Sequence, residues 1–311
     1  MSSLRADPPA GNHPVVRKRE EAPSDPFSPQ NGSASAAPQP PAHVGGGGSA
    51  SATKQSVSFT MQDGVFTLRL GRTGEEPRPD ITRETLTVFE ADCLAFAQEK
   101  TVLRGPLAPG QQPLKIALIA GFHGDEPGGP LACERLYADF LQDPTSYTGL
   151  ELHLIPTCNA WGLLFAQHAN ADGLDPAASF GTGSVSAEIS SLEKELTDQR
   201  YDAIISLHTD TSARGLYAYG SEDERRHNFL IHALEDAATL YPVTEGSPFE
   251  GYHATRIDPA SAFPGSPRPT TVAGRTFTEI LLELPGRCDR HTQARASTAA
   301  VRAILARLAA R

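Results

Sequence analysis

The 311-residue sequence is poor in cysteine, in positive charge and in long apolar runs. Its four cysteines lie far apart without a C-x-x-C pair, which argues against a disulfide scaffold or a thiolate zinc site and fits a reducing compartment. Lys and Arg number 27 against 37 Asp and Glu, so the formal charge is −10 and we expect no nucleic-acid partner. No apolar run reaches the roughly 18 residues of a membrane span, and the N-terminus lacks the apolar stretch of a signal peptide, so we expect no membrane partner and a cytoplasmic location.

Several catalytic motifs are also missing. The chain contains no H-E-x-x-H, no G-x-S-x-G and no G-x-x-x-x-G-K-[ST]. The sequence therefore contains no motif that would indicate a serine hydrolase of the nucleophile-elbow type or a P-loop nucleotide-binding enzyme.

The composition divides the chain into three parts. Residues 1–55 are rich in Pro, Gly and Ser and have almost no apolar periodicity, so we predict a disordered tail. Residues 56–112 are expected to form strands and loops that pack on the core, beginning with a hairpin near 56–70 that turns at an Asp-Gly pair. We predict a catalytic domain over residues 113–311.

From residue 113 onward, apolar runs alternate with amphipathic stretches. The predicted strands are 114–120, 149–156, 201–208, 215–220 and 279–285. The predicted helices are 129–143, 186–200, 222–240 and 291–310. This alternation predicts an α/β fold with a largely parallel or mixed sheet, in which ligands bind beyond the carboxyl ends of strands.

Histidine and glutamate follow three of the predicted strands. The first strand continues into GFHGDE, the third ends in SLHTD and the last contains LLELPG. Two imidazoles and one carboxylate are the ligands of several catalytic zinc sites, and a second carboxylate is needed to transfer the proton of the attacking water. The sequence therefore predicts a metal-dependent hydrolase.

These segments resemble the zinc carboxypeptidase superfamily over about residues 113–286. The resemblance implies a three-layer sandwich around a mixed, largely parallel sheet, with one Zn²⁺ per chain. It implies that His123, Glu126 and His208 are the metal ligands. It also implies that Glu283 is the general base, with Glu279 as the second choice.

A further segment aligns with the same superfamily without gaps. Asp175 takes the position of the aspartate that orients a zinc-binding histidine. His168 replaces the arginine that polarises the scissile carbonyl, so we predict that it donates a hydrogen bond to the oxyanion. Ala177 and Ala178 replace the Asn-Arg pair that grips a substrate carboxylate, which alanine is unable to do. Two arginines elsewhere are candidates to bind substrate in its place, namely Arg214 and Arg256.

The expected function is hydrolysis of an amide bond in a short peptide or an N-acyl amino acid, as in the carboxypeptidase or the desuccinylase/aspartoacylase branch. A second hypothesis is a non-catalytic zinc-binding relative whose altered pocket binds a ligand or partner. A third is a metal enzyme with another ligand set, for which His153 and His168 are the nearby candidates.

Overall fold

A computed structural model of the chain describes residues 58–62, 64–71, 78–180, 182–219, 224–255 and 278–310. The predicted tail, residues 1–55, lies outside the described residues. The strands, in chain order, are β1 (Ser58–Gln62), β2 (Val65–Arg69), β3 (Ile81–Ala91), β4 (Leu94–Arg104), β5 (Leu114–Ile119), β6 (Leu150–Ile155), β7 (Ala203–Asp210), β8 (Leu216–Tyr219), β9 (Tyr252–Thr255) and β10 (Thr278–Pro285). The helices are α1 (Gly128–Gln142), α2 (Ala160–Phe165), α3 (Pro176–Ser179), α4 (Ala187–Asp198), α5 (Glu224–Leu240) and α6 (Arg290–Ala309), with a 3-10 turn at Pro144–Tyr147.

The strands form one mixed sheet in the order β1-β2-β4-β6-β5-β7-β10-β8-β9, and β3 pairs with β4. The central neighbours β6, β5, β7 and β10 run parallel. The flanking pairs β4–β6 and β8–β10 are antiparallel. The sheet is therefore mixed, with a parallel centre, as the sequence predicts.

Alternate residues of the central strands face two separate hydrophobic cores. On β5 and just beyond it, Ile116, Leu118 and Ala120 pack in the larger core with residues of α1, α5 and α6. Ala117 and Ile119 point the other way, into a smaller core that includes residues of α4. This period of two is why an almost wholly apolar strand is stable here, since both of its faces are covered. Helices on both faces of the sheet make the predicted three-layer sandwich.

The four main helices agree with their predicted positions to within two residues at each end. The hairpin near 56–70 is also confirmed, since β1 and β2 pair antiparallel with Gln62 opposite Val65. The β3–β4 hairpin, the strand β9 and the short helices α2 and α3 were not predicted individually. No helix in the part of the chain that the structure describes is long and apolar enough to cross a membrane.

Candidate metal centre and its cavity

Three neighbouring parallel strands bring the sequence-predicted residues to one edge of the sheet. β7 lies between β5 and β10, and in the register of β7 with β10 His208 is opposite Glu283. The loop that follows β5 carries His123 and Glu126. Because parallel strands end at the same edge, segments far apart in sequence converge on one place.

Close backbone packing holds the loop after β5 in place at this edge of the sheet. Gly121 has a φ of +66°, a conformation that residues with a side chain rarely adopt. A Cβ on Gly124 would lie 1.9 Å from the carbonyl carbon of Gly162, so only glycine fits against α2 at this point. The backbone N–H of Gly124 donates to the carbonyl of Gln167, which fixes the loop to the segment after α2.

The three predicted metal ligands converge. One potential ligand atom from each of His123, Glu126 and His208 lies within 4.8 Å of the others, and all three residues are buried. His123 Nδ1 is 2.8 Å from Glu126 Oε1, and His208 Nδ1 is 4.0 Å from Glu126 Oε2. Glu126 is held in place because its Oε2 accepts a hydrogen bond from the backbone N–H of Thr209.

The two histidines have opposite electrostatic surroundings. Burial lowers the pKa of His208 to about 3, which keeps its ring in the neutral form that ligates metals. Burial also opposes a charge on His123, but Glu126 and Asp175 outweigh this effect and raise its pKa to about 9. The His123 ring lies between two carboxylates, so this position favours positive charge.

Asp175 contacts the far side of the His123 ring. Its Oδ1 is 3.1 Å from His123 Nε2, while Nδ1 faces Glu126. Asp175 also caps α3, because Oδ1 accepts the backbone N–H of Ala178. Burial raises the pKa of Asp175, but the hydrogen bonds from Ala178 and His123 outweigh it and leave the pKa below its ordinary value. The geometry is that of a carboxylate that fixes the orientation of a ligand histidine.

Glu283 lies in the same cavity, with 4% of the residue exposed. On β10 it stands between His208 of β7 and Tyr217 of β8. Burial, together with the charges of Glu126 and Asp210, raises the pKa of Glu283 to about 8. Glu279, four residues earlier on the same face of β10, is buried and is not among the described residues that line the cavity.

Comparison with solved structures identifies the architecture. The structure superposes on a metallo-carboxypeptidase from Burkholderia cenocepacia with a TM-score of 0.58 and 17% identity, over 74% of this chain and 65% of that one. A metallo-carboxypeptidase from Pseudomonas aeruginosa, in complex with (2-guanidinoethylmercapto)succinic acid, gives a TM-score of 0.55 and 20% identity over 73% and 64% of the two chains. The chain has the fold of the metallo-carboxypeptidases.

More distant matches share this metallo-carboxypeptidase fold. The product-bound ectoine utilization protein from Ruegeria pomeroyi matches with a TM-score of 0.50 and 15% identity, over 73% of this chain and 67% of that one. The chain spans less than two thirds of the length of both carboxypeptidases described above. No protein-family model matches the sequence, and no curated protein matches it.

His168 lies against the ligand group within the metallo-carboxypeptidase fold. Its ring stacks on the ring of His123, with centroids 3.8 Å apart and planes 15° from parallel. Its Nδ1 is 3.1 Å from Asp125 Oδ1, and 54% of the side chain is exposed. His168 therefore has one nitrogen oriented by a carboxylate, and it lines the cavity.

The two predicted arginines have different outcomes. Arg214 is exposed, pairs with Glu250 at 3.3 Å and is not among the described residues that line the cavity. Arg256 lies outside the described residues. Ala177 and Ala178 do line the cavity, at the place where the resemblance expects an Asn-Arg pair.

The cavity measures about 480 Å³, a size suited to a small ligand. It is lined by His123, Asp125, Glu126, His168, Asp175, Ala177, Ala178, His208, Thr209, Asp210, Thr211, Tyr217 and Glu283. Sequence reasoning missed Asp125, Asp210 and Tyr217. The strand period of two offered a signal for Asp210, because it follows His208 by two residues on β7 and so shares its face.

Asp210 is fixed by neutral donors. Its Oδ1 accepts hydrogen bonds from the backbone N–H and the hydroxyl of Ser212, at 2.8 and 2.7 Å. Its Oδ2 accepts the Tyr217 hydroxyl at 2.7 Å. Burial raises the pKa of Asp210, but these hydrogen bonds outweigh it and leave the pKa below its ordinary value.

Proposed function

We propose that the chain is a zinc-dependent hydrolase that cleaves an amide bond in a small N-acyl compound or a short peptide. The observation that supports this most directly is the convergence of His123, Glu126 and His208 within 4.8 Å, in a cavity that also contains Glu283. A likeness to metallo-carboxypeptidases at 17 and 20% identity supports the fold, and the chemistry is argued from these residues.

The donor set fits zinc. Two imidazoles and one carboxylate are a catalytic zinc set that leaves a coordination position open, and His123 Nδ1, His208 and Glu126 supply it from buried positions. When bound, Zn²⁺ supplies Lewis acidity that lowers the pKa of water toward 7 and polarises a carbonyl. Asp175 orients the His123 ring toward the ligand point through Nε2.

Glu283 is the general base and acid of the proposed reaction. As a carboxylate in the cavity it takes the proton of the attacking water, and as a carboxylic acid it gives that proton to the leaving nitrogen. A buried carboxyl whose pKa is raised to about 8 can hold and release a proton near neutral pH, which suits it to both steps. Glu279 is not among the described residues that line the cavity, so the geometry favours Glu283.

His168 is the proposed oxyanion donor. It lines the cavity beside His123, and Asp125 orients its Nδ1, so its Nε2 is the nitrogen left to face a substrate oxygen. Loss of one such donor costs about 10²–10³ in rate in other hydrolases. The substrate would be a small molecule or short peptide in the cytoplasm, as the sequence predicts.

The direct test combines metal analysis with an assay of N-acyl amino acids, dipeptides and simple N-acyl amines. We expect about one zinc per chain and zinc-dependent amide hydrolysis. Glu283→Gln should retain zinc and lose about 10²–10⁴ of the rate, whereas the matched variant Glu279→Gln should keep its activity. A well-folded protein that binds no zinc would refute the proposal.

A zinc-binding module without catalysis is the second candidate function. The alanines at 177 and 178 favour it, since they remove the substrate clamp that the resemblance implies. Zinc and ligand binding without turnover of any amide or ester in the assay would support this candidate over the hydrolase.

A further inference from the structure

The cavity is strongly acidic. Five carboxylates line it, and neither lysine nor arginine is among its described lining residues. The carboxylates are Asp125, Glu126, Asp175, Asp210 and Glu283. Bound Zn²⁺ offsets two of these negative charges, and the carboxylates outside the ligand group still favour cationic over anionic ligands.

Four of these carboxylates already contact a histidine or have a proposed role in metal binding or proton transfer. Asp125 contacts His168, and Asp175 contacts His123. Glu126 belongs to the ligand group, and Glu283 is the proposed proton carrier. Asp210 is different, because the hydrogen bonds that it accepts come from Ser212 and Tyr217, which carry no charge.

Asp210 is held as a preorganised acceptor. Both of its oxygens are fixed by hydrogen bonds of 2.7 to 2.8 Å, and a carboxylate offers about four acceptor sites, so capacity for a further donor is left. Within the described ranges, no lysine or arginine forms an ion pair with Asp210. Among the described residues its partners are therefore neutral donors, which leaves its negative charge open to pairing with a cationic ligand.

Among the described residues, the cavity wall also provides no arginine or lysine to bind an anion. Ala177 and Ala178 have no hydrogen-bond donor on their side chains, and Arg214, the candidate arginine among the described residues, is paired with Glu250 and is not part of the cavity lining. A substrate with a free carboxylate at this place would meet acids rather than cations.

We infer that the substrate carries a positively charged group, a primary ammonium or a guanidinium, that pairs with Asp210. This inference rests on the proposed function, because it concerns the substrate of the same cavity. Asp210 is then a specificity-determining residue, and Tyr217 and Ser212 are the residues that position it.

The test compares N-acyl compounds of matched length and different charge on the zinc-loaded protein. The cationic series is monoacetylated α,ω-diamines of increasing length, the neutral series is N-alkylacetamides and the anionic series is N-acetyl ω-amino acids. ω-Aminoacyl alkylamides place the ammonium on the acyl side instead. We expect kcat/KM for the best cationic compound to exceed that of its neutral match by about 10–100-fold, with the anionic compounds lowest.

Asp210→Asn should abolish this preference, because it keeps the shape and removes the charge. Asp172→Asn, an exposed aspartate outside the cavity lining, is the matched control and should retain the preference. Equal use of the three series, preference for the anionic one, or a preference that survives Asp210→Asn would overturn the inference and leave the hydrolase proposal intact.

A binding measurement separates the two proposals if no amide is cleaved. Calorimetry with zinc-loaded Glu283→Gln compares the same cationic, neutral and anionic compounds as ligands. Tighter binding of the cationic compound that Asp210→Asn removes would support the inference even when the hydrolase proposal fails. Binding without charge preference would overturn it.

Discussion

Two clusters of buried histidine and glutamate lie in this sheet, and they differ in how their charges are balanced. The first is the ligand group of His123, Glu126 and His208 with Glu283. The second, which we call the Lys100 network, lies between α4 and the strands β4 and β6. Its members are Lys100, Glu195, Tyr201, His153 and Glu151.

The Lys100 network is closed within the protein. Lys100 is 1% exposed, and its Nζ lies 2.7 Å from Glu195 and 2.9 Å from Glu84. The Tyr201 hydroxyl donates to Glu195 at 2.7 Å and lies 2.8 Å from His153 Nδ1. His153 Nε2 lies 2.9 Å from Glu151, so each carboxylate has a donor from the chain itself.

The ligand group is open by contrast. Its side chains face a cavity of about 480 Å³. The described lining of this cavity contains five acidic residues and neither lysine nor arginine. Histidine and glutamate are thus structural where the fold neutralises them and available for chemistry where it does not. Charge balance, rather than residue type, therefore separates the two roles.

The largest expected effect concerns zinc binding by the ligand group. Zinc should stabilise the wild-type protein by about 4 kcal/mol at a concentration of a thousand times Kd, because it binds the folded state. His208→Ala should lose this stabilisation and the zinc-dependent activity. Thermal unfolding with and without zinc measures both, and His232→Ala, an exposed histidine on α5, is the matched control. Equal stabilisation of His208→Ala and the wild type would contradict the assignment.

Lys100→Met tests the closed side. It leaves the Glu195 carboxylate buried without its strongest cation, and breaking a buried pair in this way costs about 3–5 kcal/mol. Denaturant unfolding should show this loss, while zinc content per folded molecule should not change. Glu84→Gln should cost less than about 1 kcal/mol, because 61% of the Glu84 side chain is exposed. Similar losses in the two variants would argue that the network is not a buried unit.

The dependence of stability on acidic pH tests the Lys100 network a second time. Burial raises the pKa of Glu195, but His153, Lys100 and Tyr201 outweigh it and lower the pKa to about 2. A lowered folded pKa means that Glu195 stabilises the fold above its ordinary pKa and that this contribution is lost as the pH falls from about 4.5 toward 2. Unfolding free energies of wild type and Glu195→Gln, both with chelator, should converge as the pH falls through this window. A constant difference would refute this role for Glu195.

The ligand group was easier to predict from the sequence than the Lys100 network. Its residues lie at or just after short apolar runs in β5, β7 and β10, whose apolar residues are almost all buried. β4 gave no such pattern. Its central residues Gln98, Glu99 and Lys100 are buried, and each has a polar partner from a distant segment, so the strand looks solvent-exposed in the sequence.

Cavity residues whose positions depend on strand pairing or on loop folding were also not predictable from the sequence. Tyr217 reaches the cavity because β8 pairs antiparallel with β10 and sets it opposite Glu283. Nothing in the spacing of the two segments indicates that register. Asp125 contacts His168 across 43 positions in the chain, a pairing that only the folded loop creates.

Asp175→Asn is expected to have the smallest effect. It tests whether Asp175 supports metal binding by the ligand group. Asparagine caps a helix as well as aspartate does, so α3 should keep its start and the fold its stability. The uncharged amide contacts His123 Nε2 less strongly than the carboxylate, and loss of such a contact weakens metal affinity by about 10–100-fold. Competition with a chelator of known affinity measures the change. Asp172→Asn on the same loop should leave the zinc affinity unaltered, and equal affinities for all three proteins would mean that Asp175 is only a helix cap.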